Sequence, residues 1–316
     1  MTLSVVIPAY NRRESLEACL DALQEMTTDC EIIVVNGPST DGTSGMIHER
    51  NDVSVLIECA SRNVNIARNA GIREATGDIV VILAPVNRVT EGWEEAIRSS
   101  IERGADAVSG PSRPHRSEKE AIEPIAVSEA AVPMNGQNIA LTRGAVTALD
   151  GFDEYLVVGG ITDLSTRLKS IGLHIMWHPE MEVEEITGKQ GTNRTERLEP
   201  TQWVDDEDID WGRIYRSRAY LAVKHDGLGP RSISRIVVLA TRDGLESTVA
   251  MARGRRRPTS WAGIGIRVAR NVMQGIREGK QAREADHTAA KNPAGISGGQ
   301  STEMIAAIHD WRSSEV

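Results

Sequence analysis

Apolar runs and polar breaks alternate regularly along the first 110 residues. Residues 3–7 form a β-rich apolar run that stops at Pro8. Residues 15–25 then place Leu16, Cys19, Leu20 and Leu23 at i, i+3, i+4 and i+7, which is one apolar face of a helix. Residues 31–35 are an uninterrupted apolar strand of the kind buried on both faces. Thr40 or Asp41 is placed to cap a short helix. The pattern continues with a strand over 53–57, a helix over 65–75 closed by Gly77, and a strand over 78–83. A helix over 91–103, capped by Thr90, and a short strand over 107–109 follow. Such alternation predicts a parallel sheet with helices on both faces. Ligands bind such sheets beyond the carboxyl ends of the strands. The loops at 8–12, 36–41 and 84–88 are therefore expected to share one rim.

Beyond this point the period weakens. Residues 111–133 are polar and Pro-containing and read as a surface excursion. Residues 135–143, the turn 150–153, a helix over 163–170 and strands over 174–177 and 182–185 continue the same unit, and 188–208 reads as loop. From Trp211 the pattern predicts helices only, over 211–224, 231–253 and 260–283. A Gly/Ser-rich stretch, 292–301, reads as flexible. A terminal helix over 303–312 is expected, with Met304, Ile305, Ile308 and Trp311 on one face. The division expected is a domain over 1–210 and a basic helical region over 211–316.

Charge sharpens that division. The 316 residues carry a net charge of -9, but from Trp211 onward 18 Lys+Arg face 9 Asp+Glu, against 18 and 36 before it. An acidic body with a basic C-terminal third points to an anionic partner or to self-docking. Arg253, Arg255, Arg256 and Arg257 beside Trp261 suit an anionic membrane surface. The same residues also suit the acidic run Asp205–Asp208. Aromatic residues make up only 3%, which disfavours base stacking and nucleic acid as the partner. The three cysteines, Cys19, Cys30 and Cys59, have neither zinc nor disulfide-framework spacing. The amino terminus reads as a strand with no leader pattern, and no apolar run spans a membrane, so a cytoplasmic protein is expected, peripheral on the inner face of the membrane if the basic region docks there.

No Walker A motif, no G-x-G-x-x-G after the first strand, no H-E-x-x-H and no G-x-S-x-G is present. What remains is distributed. Residues 4–12 read Ser-Val-Val-Ile-Pro-Ala-Tyr-Asn-Arg; residues 31–43 run from an apolar strand into Asn36-Gly37-Pro38-Ser39-Thr40-Asp41-Gly42-Thr43. Asn63–Ile72 contains Ala67-Arg68-Asn69-Ala70-Gly71, with Thr76-Gly77-Asp78 behind it. Then come Asn135–Ala140, Gly151-Phe152-Asp153-Glu154 and Asp163-Leu164-Ser165-Thr166-Arg167-Leu168. In this order the pieces resemble the family-2, GT-A-fold glycosyltransferases over roughly residues 1–187. The implied architecture is an α/β fold, a mostly parallel sheet flanked by helices, with a C-terminal helical extension.

The resemblance implies roles. Pro8, Ala9 and Tyr10 would pack around a nucleobase and Asn36 would meet its edge, at a position where the family usually has Asp. Arg68 would reach toward the diphosphate, with Asn69 and Gly71 shaping the backbone beside it. Two departures stand out. The Asp-x-Asp that holds Mg²⁺ or Mn²⁺ in the family is replaced by Ala84-Pro85-Val86, so no metal ligand is expected there and a divalent cofactor is doubtful. Arg12, Arg68 and Arg88 are the candidates to meet the diphosphate charge instead. The family's Glu-Asp pair, whose Asp is the catalytic base, is replaced by Gly160-Ile161. Asp163 is the surviving candidate for catalysis, with helix capping as its competing and favoured role. The expected function is transfer of a sugar from a nucleotide-sugar donor, UDP-sugar favoured, to a saccharide or lipid-linked acceptor, inverting and metal-independent if active. The alternative is a catalytically inactive scaffold or nucleotide-binding subunit on the same fold.

Overall fold

The computed structural model describes residues 1–114, 134–186, 210–230, 261–285 and 292–312, together with Ser234, Ile236 and Val238. The first strand, β1 (Leu3–Ala9), is buried along its whole length. Its side chains alternate between two cores: Leu3, Val5, Ile7 and Ala9 enter one, and Val6 enters the other. This is what an unbroken apolar strand covered on both faces requires. Helix α1 (Arg13–Met26) buries Leu16, Cys19, Leu20 and Leu23, the face its spacing predicts.

The remaining elements of the first half are β2 (Cys30–Asn36), α2 (Thr43–His48), β3 (Val55–Cys59), α3 (Val64–Glu74), β4 (Ile79–Leu83), β5 (Asn87–Val89), α4 (Trp93–Glu102), β6 (Ala107–Ser109) and β7 (Ser112–Pro114). The second half supplies β8 (Asn138–Thr142), α5 (Arg143–Leu149), α6 (Gly160–Ser170), β9 (Ile175–Trp177) and β10 (Val183–Glu185). After these come the helices α7 (Trp211–Asp226) and α8 (Trp261–Ala285), and a last strand β11 (Ile305–Asp310). The main sheet has the order β11-β3-β2-β1-β4-β8-β6-β9, and β5, β10 and β7 form a small second sheet. Strands β3, β2, β1 and β4 run parallel, β8 is antiparallel to both β4 and β6, and β11 is antiparallel to β3. The α/β expectation with a mostly parallel sheet is met.

Three local expectations are corrected. The terminal helix over 303–312 is instead strand β11, paired along the edge of β3, with Ala60 N–H donating to the Met304 carbonyl and Trp311 N–H to the Ser54 carbonyl. The apolar spacing fits a helix, but a helix of that length is marginal alone, whereas the open β3 edge offers a row of partners. The segment 292–301 is folded against the Asp150–Glu154 turn: Asn292 Nδ2 donates to the Gly151 carbonyl, Ile296 N–H to the Asp150 carbonyl and Ser301 N–H to Glu154 Oε2. Its glycines serve close approach: a Cβ on Gly295 would stand 2.3 Å from the Asp150 carbonyl oxygen, and one on Gly299 2.4 Å from Glu154 Oε2. Thr90 does not cap α4. Gly92 is the N-cap residue, and the Thr90 hydroxyl donates to the Glu182 carbonyl.

The C-terminal region is thus not wholly helical. Among the described residues it has two helices, a turn segment on the body and a strand in the main sheet. The expected helix over 231–253, the loop 188–208, most of the excursion 111–133, the basic cluster 253–257 and the acidic run 205–208 lie outside the described residues.

Candidate active site

The rim at the carboxyl ends of β1, β2 and β3 is built by register. Ala9 pairs with Asn36, and Asn36 with Glu58, so three neighbouring parallel strands end in one row. The loops beyond are tied together. Gly37 N–H donates to the Ala9 carbonyl, Asn11 N–H to Ser39 Oγ, and Thr40 N–H to Asn11 Oδ1. Asn11 holds φ at 48°, a value Asn tolerates better than most residues. Tyr10 is buried, and the Arg62 guanidinium lies 4.9 Å from the centre of its ring. The structure therefore brings Pro8, Ala9, Tyr10 and Asn36 to one place on the rim.

Asn36 is 1% exposed, and its amide is fully engaged as a donor. Its Nδ2 donates to Glu58 Oε2 at 3.1 Å and to Ser44 Oγ at 2.8 Å, and its Oδ1 accepts from Ser39 Oγ at 2.7 Å. Glu58 is half-buried in this row. It escaped notice in the sequence because the strand expected there ends at residue 57, whereas the structure carries it on through Glu58 to Cys59. Only the pairing of β2 with β3 puts it beside Asn36.

The third loop faces the other half of the molecule. Ala84 N–H donates to the Gln137 carbonyl, and Ile186 N–H donates to the Val86 carbonyl. The end of β4 offers Ala84, Pro85 and Val86, none with a ligating side-chain oxygen. Among the described residues no three His, Cys, Asp or Glu side chains are grouped to hold a metal ion. These residues do not fit the divalent ion that the resemblance would place there.

Arg68 and Asn69, expected beside the diphosphate, are tied to protein groups. Arg68 is buried, donating through Nη1 to Asn65 Oδ1 and through Nη2 to the Gly136 carbonyl, with its guanidinium 4.9 Å from the Phe152 ring centre. Asn69 Nδ2 donates to the Phe152 carbonyl and to Glu154 Oε1, and Asn69 Oδ1 accepts from Phe152 N–H. Gly71 allows α3 to lie directly on β1, since a Cβ there would stand 2.3 Å from a Val6 methyl. One face of α3 thus holds the turn that carries Gly151, Phe152, Asp153 and Glu154. Of the other two arginines, Arg12 is partly exposed on the rim and Arg88 is exposed on β5.

The position of the family's base is closed by packing. Ile161 is 6% exposed, and a Cβ on Gly136 would meet its Cγ1 at 2.3 Å. Gly160 lies against Asn65, whose side chain a Cβ would meet at 2.7 Å. Asp163 does not cap α6; the N-cap residue is Gly159. Its carboxylate is fully buried in an ion cluster that the sequence did not disclose. Oδ2 accepts from Arg167 Nε at 2.7 Å, and Oδ1 accepts from Lys224 Nζ at 2.7 Å and contacts His225 Nε2 at 2.8 Å. Lys224 Nζ also donates to Asp153 Oδ2, as does the Tyr220 hydroxyl, both at 2.8 Å. Burial opposes the charge on Asp163, but Arg167, Lys224 and His225 outweigh it and hold the carboxyl well below its ordinary range. Burial likewise opposes the charge on Lys224, and the two carboxylates outweigh it, so the ammonium is held above its ordinary value. Only the Asp163/Arg167 spacing of i, i+4 was legible; Lys224 and His225 come from α7, far along the chain.

Comparisons with known proteins agree with this geometry. The model described as Glycosyl transferase family 2 matches residues 4–140. The glycosyltransferase AglE of Haloferax volcanii is 30% identical over 115 residues, which is 34% of this chain and 36% of that protein. An undecaprenyl-phosphate 4-deoxy-4-formamido-L-arabinose transferase of Serratia proteamaculans is 36% identical over 90 residues, 26% of this chain and 28% of that protein. The matched stretch thus spans about a third of the length of these relatives. Among solved structures, S. aureus TarS 1-349 in complex with UDP-GlcNAc superposes with a TM-score of 0.60 at 14% identity, covering 90% of this chain and 84% of that one. The mannosyltransferase PcManGT of Pyrobaculum calidifontis, in complex with GDP-Man and Mn²⁺, gives 0.54 at 21% identity, covering 91% and 85%. The sequence match is confined to residues 4–140, which resemble the family 2 glycosyltransferases, while the shared fold, GT-A, extends over about nine-tenths of the chain.

Proposed function

We propose that the chain is a glycosyltransferase that takes a nucleotide-sugar donor at the β1–β2–β3 rim and transfers the sugar to a saccharide or lipid-linked hydroxyl. The observation that carries this reading is the single row formed by Ala9, Asn36 and Glu58, with Pro8 and Tyr10 beside it. Solved structures of the same fold hold UDP-GlcNAc and GDP-Man, and the Serratia relative is by name a transferase of undecaprenyl phosphate. The donor's departing diphosphate develops charge that preorganised cations stabilise. Arg12 and Arg88 are the accessible candidates for that role, and no step is assigned to a metal. No described helix is long and apolar enough to cross a membrane. Surface attachment at the inner face of a membrane would give access to a lipid-linked acceptor, and the basic C-terminal residues suit an anionic leaflet.

A second reading is favoured by one observation, the packing of Ile161 where the family's base would stand. On that reading the chain binds the nucleotide-sugar without turning it over and serves as a subunit for an active transferase. Calorimetric titration with UDP, GDP and their sugar conjugates, with and without Mn²⁺, tests the common part: binding in the absence of metal is expected. Failure of every nucleotide to bind removes both readings. Transfer or donor hydrolysis above background then separates them.

A further inference from the structure

We infer that the Glu58 carboxylate, and not the amide of Asn36, reads the edge of the donor's nucleobase, and that it selects bases carrying a ring N–H there. The inference rests on the proposed function, since it specifies what the same rim accepts. The amide of Asn36 has spent both its donors, one on Glu58 Oε2 and one on Ser44 Oγ, and its oxygen already accepts from Ser39. An incoming base finds no free donor on it, and the second lone pair of its oxygen belongs to a side chain that is only 1% exposed. Glu58 lies next in the same row, and only Oε2 is engaged among the described residues. A half-buried carboxylate offers acceptor lone pairs and no donor.

The Asn36 contact also fixes the rotamer of Glu58, so the second oxygen is presented in a set direction at little further entropic cost. A carboxylate so placed matches the N3–H of uracil, or the N1–H and 2-amino group of guanine. Adenine and cytosine present a ring nitrogen lone pair at the corresponding place, and lone pair against carboxylate is repulsive. The exchange is chemically coherent within this chain. A carboxylate at position 36 beside Glu58 would set two like charges on adjacent strands, whereas the amide at 36 bonds to Glu58 and leaves one acceptor group at the rim.

The test is calorimetric titration of the full chain, wild type and Glu58→Ala, with UDP, GDP, ADP and CDP. A hydrogen bond to a charged group contributes about 1.5–3 kcal/mol, so UDP or GDP is expected to bind at least about tenfold more tightly than ADP and CDP. Glu58→Ala is expected to remove that preference by weakening only the favoured nucleotide. Ser44→Ala, which deletes the other acceptor of the Asn36 amide, is expected to keep the ranking. Equal loss across all four nucleotides in Glu58→Ala, or no loss, overturns the inference while leaving nucleotide binding in place. A collapsed ranking in Ser44→Ala also overturns it, because the selectivity would then follow Asn36. Binding of none of the four by the wild type overturns the proposed function as well. Thermal melting of each variant confirms that the fold is retained.

Discussion

Lys224 shows how much one residue from outside the matched region contributes to the domain. Its ammonium is buried between Asp153 and Asp163, and both carboxylates depend on it. Breaking such a pair from one side leaves uncompensated charge and costs about 3–5 kcal/mol. Lys224→Met is therefore expected to lower thermal stability severely at pH 7. The same cluster sets a pH dependence. The carboxyl of Asp163 is depressed in the folded state, so its contribution is full above the unfolded value of about 3.9 and is lost as pH falls through the folded value. Lys224 is raised, so its contribution is full below about 10.4 and is lost as pH rises through the folded value. Melting curves of wild type and Asp163→Asn between pH 3 and 7 check the acidic limb: the gap between them is expected to hold down to about pH 4 and to narrow below it. A gap that stays constant sinks the assignment. At this scale the sequence disclosed the rim residues, because strand ends and turn residues mark themselves. It did not disclose where Arg68, Asn69 and Glu58 point, since side-chain partners across strands and helices are set by register and packing.

Helices α7 and α8 lie close enough to depend on two glycines one turn apart. A Cβ on Gly275 would stand 2.2 Å from the Arg216 carbonyl oxygen, and one on Gly279 2.7 Å from that of Tyr220. Both obstacles are backbone, so they yield only if the helices part. Gly275→Ala is expected to destabilise the protein by about 1–3 kcal/mol, despite the better helix propensity of Ala. Gly265, on the same helix, has open space where a Cβ would stand, with nothing within 4 Å, and Gly265→Ala is expected to stabilise by up to about 1 kcal/mol. Denaturant titration of the two variants checks the pair, and equal effects would disprove the packing account. The helices themselves were legible from their apolar spacing. The role of the glycines was not, because a small residue in a helix is the same letter whether it faces solvent or another backbone. The same ambiguity affects 292–301, where glycines that admit close neighbours resemble those of a loose linker.

At the scale of the whole molecule, the stretch after Asn292 returns to the body twice, once at Glu154 and once along β3. A chain ending at residue 290 is expected to melt at lower temperature and to self-associate, because Glu154 loses the backbone donors of residues 300 and 301 and β3 becomes an exposed edge. Thermal melting and light scattering check this; a monodisperse truncated chain with unchanged melting rules it out. The alternating first half was legible because local periodicity and global topology agree there. Strand β11 was not, because its conformation is chosen by a partner that no local window contains. That arrangement also has a consequence in time. Synthesis delivers β3 early and β11 late, and at ~5–20 residues per second the interval lasts on the order of tens of seconds. For that interval the strand that carries Glu58 has a bare flank on the nascent chain. The rim that is written first in the sequence is among the last places to be sealed, and a nascent chain stalled in between displays the surface on which strand-to-strand aggregation begins.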